Sequence, residues 1–233
     1  MISFFGISKT TNTRPHNWLI HHIYVQSLKK FSNLIKGNVI DIGCGQKPFR
    51  NIIEKHASKY YGLEYKRTLH GFKSVDVVGN AMVLPFKNSS ADFIVSFQVM
   101  EHLPEPEKFL KELLRILKLD GHLLLMTPFM WGEHEAPYDY YRYTRYGLEY
   151  LANKTGFEVV NIISDTGFWT TTIIRFNYFL MTYAKGPFRF LGIPIVWFDQ
   201  FIALLLDRLF SSYSTESANY TTLLKKPQSN NHE

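Results

Sequence analysis

The chain has 233 residues, room for one large domain or a domain with an insertion, and its 45% hydrophobic content suffices for a buried core. A net charge of +6 with scattered Lys and Arg leaves no basic stripe, which argues against a nucleic-acid partner and allows at most a weak pull toward anionic surfaces. The single cysteine, Cys44, excludes an internal disulfide framework and suits a reducing, cytoplasmic setting. The opening "MISFFGISKTTNTR" lacks a positive region ahead of an adequate apolar segment and does not read as a secretory signal.

From Pro15 to Ile35 the apolar residues recur at helical spacing. "NVIDIG", "YYGLEY", "SVDVV" and "DFIVSF" then read as four strands, with apolar runs that suit parallel strands covered on both faces. Residues 104–118 give the clearest helix. Pro104 and Pro106 stand in its first turn, and Phe109, Leu110, Leu113, Leu114 and Leu117 share one face. "LDG" is expected to stop it, and "HLLLMTP" is a fifth strand. Thr144 is placed to cap a helix to Lys154 that ends at Gly156, and "FEVVNIIS" is a sixth strand. Residues 168–212 break the alternation with two apolar, aromatic segments before a last strand, "NYTTLLKK", and a polar tail. The pattern predicts an α/β fold: a Rossmann-like, doubly wound, mostly parallel seven-stranded sheet with an inserted hydrophobic helical segment before the last strand. The expected divisions are a helical segment at 1–36, the core at 37–167, the insertion at 168–212, and the last strand and tail at 213–233.

The informative junction is "VIDIGCGQKPF". A strand ends in Asp41, and Gly43 and Gly45 let the chain turn with its backbone close to a ligand. Glu64 closes the second strand, where an acid can accept both hydroxyls of an adenosine ribose. A dinucleotide or S-adenosylmethionine (SAM) fits such a junction. A dinucleotide wants a third glycine to bring a helix start to its pyrophosphate, and that position is Pro48; SAM has no phosphate.

Together with "GLEY" and "GNAMVLPFKNSSADFIVSFQVMEHLPEPEKFLKELLRILKLDGHLLLMTP", this junction resembles the class I SAM-dependent methyltransferases, in particular the type 11 group, over residues 38–128. The resemblance implies SAM as cofactor. Asp41, Gly43, Cys44 and Gly45 would lie along its methionine part, Glu64 would hold the ribose, and Asn80, Ala81 and Met82 would flank the adenine. Gln98 lies where the group commonly contacts the cofactor. The group usually has Asp where this chain has Asn80, whose carbonyl oxygen can still accept a hydrogen bond.

The acceptor side then falls to "QVMEHLPEP" and "WGEHEAPYDYYRYT", the loops after the fourth and fifth strands. Methyl transfer from a sulfonium depends mainly on positioning, and an oxygen acceptor also profits from a general base. His134, His102 and Asp139 are the catalytic candidates. Glu133, Tyr138, Tyr140, Tyr141 and Tyr143 are expected to line the acceptor, and Arg142 to hold a phosphate or carboxylate. No metal ion is expected, because ligands crowded into one flexible loop make poor geometry. "HEAPYDYYRYT" also resembles a feature of methyltransferases among bacterial cell-surface polysaccharide functions. The expected acceptor is a hydroxyl or similar nucleophile on a small or lipid-linked molecule, with a cell-envelope saccharide favoured. The rival readings are a nicotinamide-dependent reductase and a non-catalytic SAM-binding scaffold.

In the insertion, Asp199, Gln200, Ala203 and Asp207 form one narrow stripe on an otherwise apolar helix. Asp199 would sit well inside a bilayer if the helix spanned it, at a cost of about 2.5–3.5 kcal/mol. The readings left open are contact with the inner membrane face, a homodimer interface, a lid, and an ordinary buried helix pair.

Overall fold

The computed structural model describes residues 15–66, 71–183, 186, 188–210 and 215–228, with Pro15 and residues 188–191 described by backbone alone. The opening fourteen residues and the end of the polar tail, both read above from sequence, lie outside the described residues. Seven strands are present: β1 (Asn38–Ile42), β2 (Lys59–Glu64), β3 (Val77–Val78), β4 (Ala91–Phe97), β5 (Leu117–Pro128), β6 (Glu158–Ser164) and β7 (Asn219–Lys225). They form one sheet in the order β3-β2-β1-β4-β5-β7-β6. Neighbours from β3 to β5 are parallel, while β7 runs antiparallel to both β5 and β6. The order reverses between β1 and β4, so ligands are expected outside the carboxyl ends of those strands.

Both faces are covered, which accounts for the unbroken apolar runs. Ile40, Ile42 and Leu123 point to one side, beneath Phe109 and Leu113 of α3 (Pro106–Ile116) and Leu148 of α4 (Arg145–Thr155). Val39, Phe93 and Leu124 point to the other, beneath Leu28 of α1 (Trp18–Lys30) and Ile53 of α2 (Arg50–Ile53). At the start of α4 the Thr144 hydroxyl accepts the Gly147 N–H at 3.1 Å, and Gly156 at φ 94° closes its end.

Two strand expectations need correction. "SVDVV" contributes only Val77–Val78, because Val75 N–H closes a turn on the Phe72 carbonyl and the Asp76 carboxylate turns back to Gly62 N–H at 2.6 Å. "LDG" does not separate helix from strand. The helix stops at Ile116 and β5 runs through, its register against β4 shifting between Ala91 and Phe93 while Asp120 at φ 59° takes up a bulge.

The insertion forms two helices, α5 (Phe168–Tyr183) and α6 (Phe188–Leu209), packed against the start of α1 through Ile174, Leu19, Ile20 and Ile23. The narrow stripe of α6 turns inward. Gln200 Oε1 accepts Leu19 N–H at 3.0 Å, and Asp207 accepts from Gly167, Trp169 and Thr170 at 2.9–3.1 Å. These are donors at the starts of α1 and α5 that have no partner within their own helix. The outward face is consequently apolar, with Phe179, Phe198, Phe201 and Leu209 each more than 60% exposed. Among the described residues no helix is long and apolar enough to cross a membrane.

Candidate active site

β1 carries Asp41 to the crevice, where Gly43 and Gly45 turn at φ 75° and 49°. A Cβ on Gly43 would lie 2.2 Å from Val99 Cγ2, so backbone angle and close approach both call for glycine. Gly43 and Cys44 donate to the Leu63 carbonyl at 2.8 and 3.1 Å. The buried Glu64 carboxylate accepts Gly45 N–H on one oxygen and Tyr65 N–H on the other, both at 2.8 Å. Each oxygen keeps a lone pair, so the carboxylate could receive a ribose diol without releasing the loop. Pro48 has no N–H and α2 is only four residues long, which leaves no helix start for a pyrophosphate. The donor set therefore fits SAM and not a dinucleotide.

Burial pushes the Asp41 carboxyl up to about 7, against the pull of the Tyr60 hydroxyl, 2.5 Å from Oδ2, and of Lys47. Burial also drives the Cys44 thiol up to about 12, which removes it as a nucleophile. Asn80 Oδ1 accepts Met82 N–H at 2.9 Å and shapes the turn that buries Ala81 and Met82. Gln98, at φ 56°, donates its amide to Asn219 Oδ1 at 3.2 Å. Sequence reasoning passed over Lys47, buried in the glycine turn and ion-paired with Asp76. A lysine directly after "GCGQ" was the available signal.

The 129–144 loop, expected to face the acceptor, hangs on the short helical turn Met100–His102. The Glu101 carbonyl accepts Tyr140 and Tyr141 N–H at 2.9 and 3.3 Å, docking the 129–144 loop. The Glu101 side chain is fully buried, and burial pushes its pKa up to about 8. His102 Nδ1 lies 2.8 Å from the Tyr138 carbonyl, and the His102 and His134 rings meet edge-on at 4.8 Å. Two catalytic candidates from separate loops are thus neighbours, with Glu101, which the sequence reading left aside, between their Nε2 atoms.

Three loop residues have different duties from those expected. Arg142 uses all five of its N–H donors inside the loop: Nε on the Trp131 carbonyl, Nη1 on Asp139 and Tyr141, Nη2 on Gly132 and Asp139. It has no hydrogen left for a phosphate or carboxylate. Asp139 receives that guanidinium at 2.6–2.7 Å and His134 N–H at 2.8 Å, and these contacts hold its carboxyl down at about 2. A carboxylate so stabilised is a poor proton acceptor, and it anchors rather than catalyses. Tyr143 is buried in the core with its hydroxyl on the Met100 carbonyl at 3.2 Å. Tyr138, Tyr140 and Glu133 are exposed, and Tyr141 is partly tethered through Pro104. Tyr24 of α1, missed from sequence, reaches Asn219 at 3.5 Å and is raised by burial and by nearby Glu101. Trp131 meets Tyr178 of α5 edge-on at 4.9 Å, which sets the helix pair beside this loop.

Residues 20–162 match the family model of a methyltransferase domain. A Mycolicibacterium smegmatis protein named "Probable S-adenosylmethionine-dependent methyltransferase" is 33% identical over 97 residues, 39% of this chain and 38% of that one. The demethylmenaquinone methyltransferase of Anoxybacillus flavithermus is 26% identical over 141 residues, 53% of this chain and 60% of its own. The matched region therefore spans between about two fifths and three fifths of these relatives. In fold, the chain is similar to a SAM-dependent methyltransferase from Thermotoga maritima, with TM-score 0.58, 21% identity, and 90% and 93% of the two chains covered. The [4+2]-cyclase SpnF gives TM-score 0.62 at 17% identity, covering 88% of this chain and 80% of that one. With more than half of its length matched and this strand order, the chain belongs to the methyltransferase-domain family.

Proposed function

We propose that the chain is a SAM-dependent methyltransferase acting on a hydroxyl or similar nucleophile of a small or lipid-linked acceptor, with a cell-envelope saccharide the favoured class. The observation that carries this reading is the Glu64 carboxylate, buried across the glycine turn and free to accept two hydroxyls where no pyrophosphate seat exists. When bound, SAM supplies an activated methyl group on a sulfonium. Asp41, Gly43, Cys44 and Gly45 would border its amino-acid part, Glu64 the ribose, Asn80, Ala81 and Met82 the adenine, and Gln98 the path to the acceptor. Segment 98–102 leads directly from that edge to His102 and His134, the candidates for withdrawing a proton from the acceptor. Tyr138, Tyr140 and Glu133, exposed at the loop surface, would meet the acceptor. The polysaccharide branch draws on the loop sequence "HEAPYDYYRYT".

Calorimetric titration with SAM is expected to show binding that Glu64→Ala abolishes. His134→Ala should leave binding nearly intact while lowering turnover of label from SAM into a fractionated cell extract. Binding of NADH in place of SAM would overturn the cofactor assignment, and tight SAM binding with no label in any fraction would favour the scaffold reading.

We place the α5–α6 pair against an anionic membrane surface. Phe179, Phe198, Phe201 and Leu209 face outward, while Asp207 turns in and Asp199 pairs with Asn177 at 2.9 Å. The exposed charges on these helices, among the described side chains, are Arg175 and Arg208, complementary to acidic headgroups. Co-sedimentation with phosphatidylglycerol vesicles, weak with phosphatidylcholine and lost in Phe198→Ser/Phe201→Ser, is the expected outcome. A vesicle-indifferent chain that runs as a dimer by light scattering would reassign the face to a second copy.

A further inference from the structure

The acceptor side holds a group of charges that the methyl-transfer reading leaves unexplained. The Glu101 side chain is 0% exposed, and among the described residues neither of its carboxylate oxygens has a hydrogen-bond partner. Buried carboxylates ordinarily find partners. Its Oε1 lies 3.7 Å from His102 Nε2 and 4.0 Å from His134 Nε2, beyond hydrogen-bond length. Among the described residues, these three each place a ligand atom within 4.8 Å of the others.

Outer contacts fix which ring nitrogens carry hydrogen. The Tyr138 carbonyl can only accept, so His102 Nδ1 is the donor at 2.8 Å and Nε2 bears a lone pair. His134 Nδ1 faces the Gly132 carbonyl at 3.2 Å and Asp139 Oδ2 at 3.4 Å. Arg142 Nη2 is 3.3 Å from that nitrogen, but its two hydrogens go to Gly132 O at 2.7 Å and Asp139 Oδ2 at 2.6 Å. His134 Nδ1 is therefore a donor as well. Two imidazole lone pairs and a carboxyl oxygen converge.

We propose that Glu101, His102 and His134 hold a divalent transition-metal ion, of the zinc or manganese class, at the acceptor face. Two imidazoles and one carboxylate serve catalytic zinc sites that leave a position open. The carbonyl behind His102 and the carbonyl and carboxylate behind His134 are the outer partners that metal-binding histidines keep. An ion centred among the three atoms stands about 2.5 Å or less from each, so small side-chain shifts reach zinc bonds of roughly 2.0–2.2 Å. Both rings retain partial exposure, 16% and 27%, which leaves an approach for an acceptor oxygen that the ion would polarise. An imidazole that holds an ion does not take up a proton, so this polarisation replaces the base duty given to His134 above. That last role rests on the methyltransferase reading; binding of the ion does not.

Titration of the chelator-treated chain with Co2+ and then Zn2+ tests the site. One equivalent of Co2+ is expected to give visible d–d bands that Zn2+ displaces. His134→Gln and Glu101→Gln should each weaken Zn2+ by about 100-fold or more, with metal-free melting curves and SAM affinity unchanged. Glu64→Ala should do the reverse, losing SAM and keeping Zn2+, so failure of either reading shows separately. A wild-type chain that takes up neither ion, or a Zn2+ affinity unmoved by His134→Gln, overturns the site. Should Glu101→Gln fail to fold, His134→Gln at a partly exposed position still decides.

Discussion

At the carboxyl edge of β1 and β2 the chain is held by its own backbone: glycine turns, carbonyls of β2, and N–H groups gathered by Glu64. In the 129–144 loop one side chain does the equivalent work, with Arg142 binding four parts of the loop at once. The first arrangement resists most side-chain changes and is intolerant of an added Cβ. The second tolerates changes along the loop and depends on a single guanidinium. That contrast can be broken from either side.

The largest effect is expected from Arg142→Ala. It strands the Asp139 carboxylate, whose side chain is 5% exposed, and removing one partner of a buried pair costs about 3–5 kcal/mol. Urea unfolding should register the loss, with Arg142→Lys restoring only part of it. Wild-type stability in Arg142→Ala would mean that something else holds the loop.

Asp41 gives the next effect, and its sign follows from its raised pKa. Below about pH 3 the carboxyl is protonated in both states. As pH rises toward about 7 the unfolded chain releases that proton while the folded chain keeps it, so the Asp41 share of stability falls through this window and levels off above it. The drop is on the order of 3 kcal/mol, and Asp41→Asn should flatten it in urea titrations at pH 4.5 and 8. An unchanged slope would place the carboxyl in a wetter setting than its burial implies.

Gly43→Ala should be the mildest in stability, more than about 1 kcal/mol from the positive φ and the Val99 contact together. Its effect on SAM affinity should far exceed that of Arg142→Ala. Equal effects on cofactor binding would erase the distinction between the two regions.

The geometry of the β1–β2 edge was legible because its requirements are local. Gly43, Gly45 and Glu64 sit at spacings set by one strand, one turn and the next strand, and Pro48 marks the missing phosphate seat within the same stretch. The capped helix after Thr144 was legible for the same reason. The cluster around Met100–His102 was not, since its geometry joins Glu101 and His102 to His134 across separate loops. The argument against a metal assumed that ligands would come from one loop, and tertiary pairing removed that premise. Arg142 and Asp139 carry the charges expected of a binding site, and only their satisfied hydrogen bonds show them to be structural. The α6 stripe was seen, but periodicity cannot say which face turns inward. The N–H groups at the starts of α1 and α5, which find Gln200 and Asp207 rather than partners in their own helices, decide it.

The main-chain part of the 129–144 loop's docking is blind to the side chains it carries. Tyr140 and Tyr141 attach to the Glu101 carbonyl through main-chain N–H groups, contacts that any residue other than proline can make. The exposed side chains at positions 138 and 140 can therefore be exchanged while the loop remains seated. In a redesign, segment 98–102 can stay fixed while the exposed face of the loop is rewritten independently.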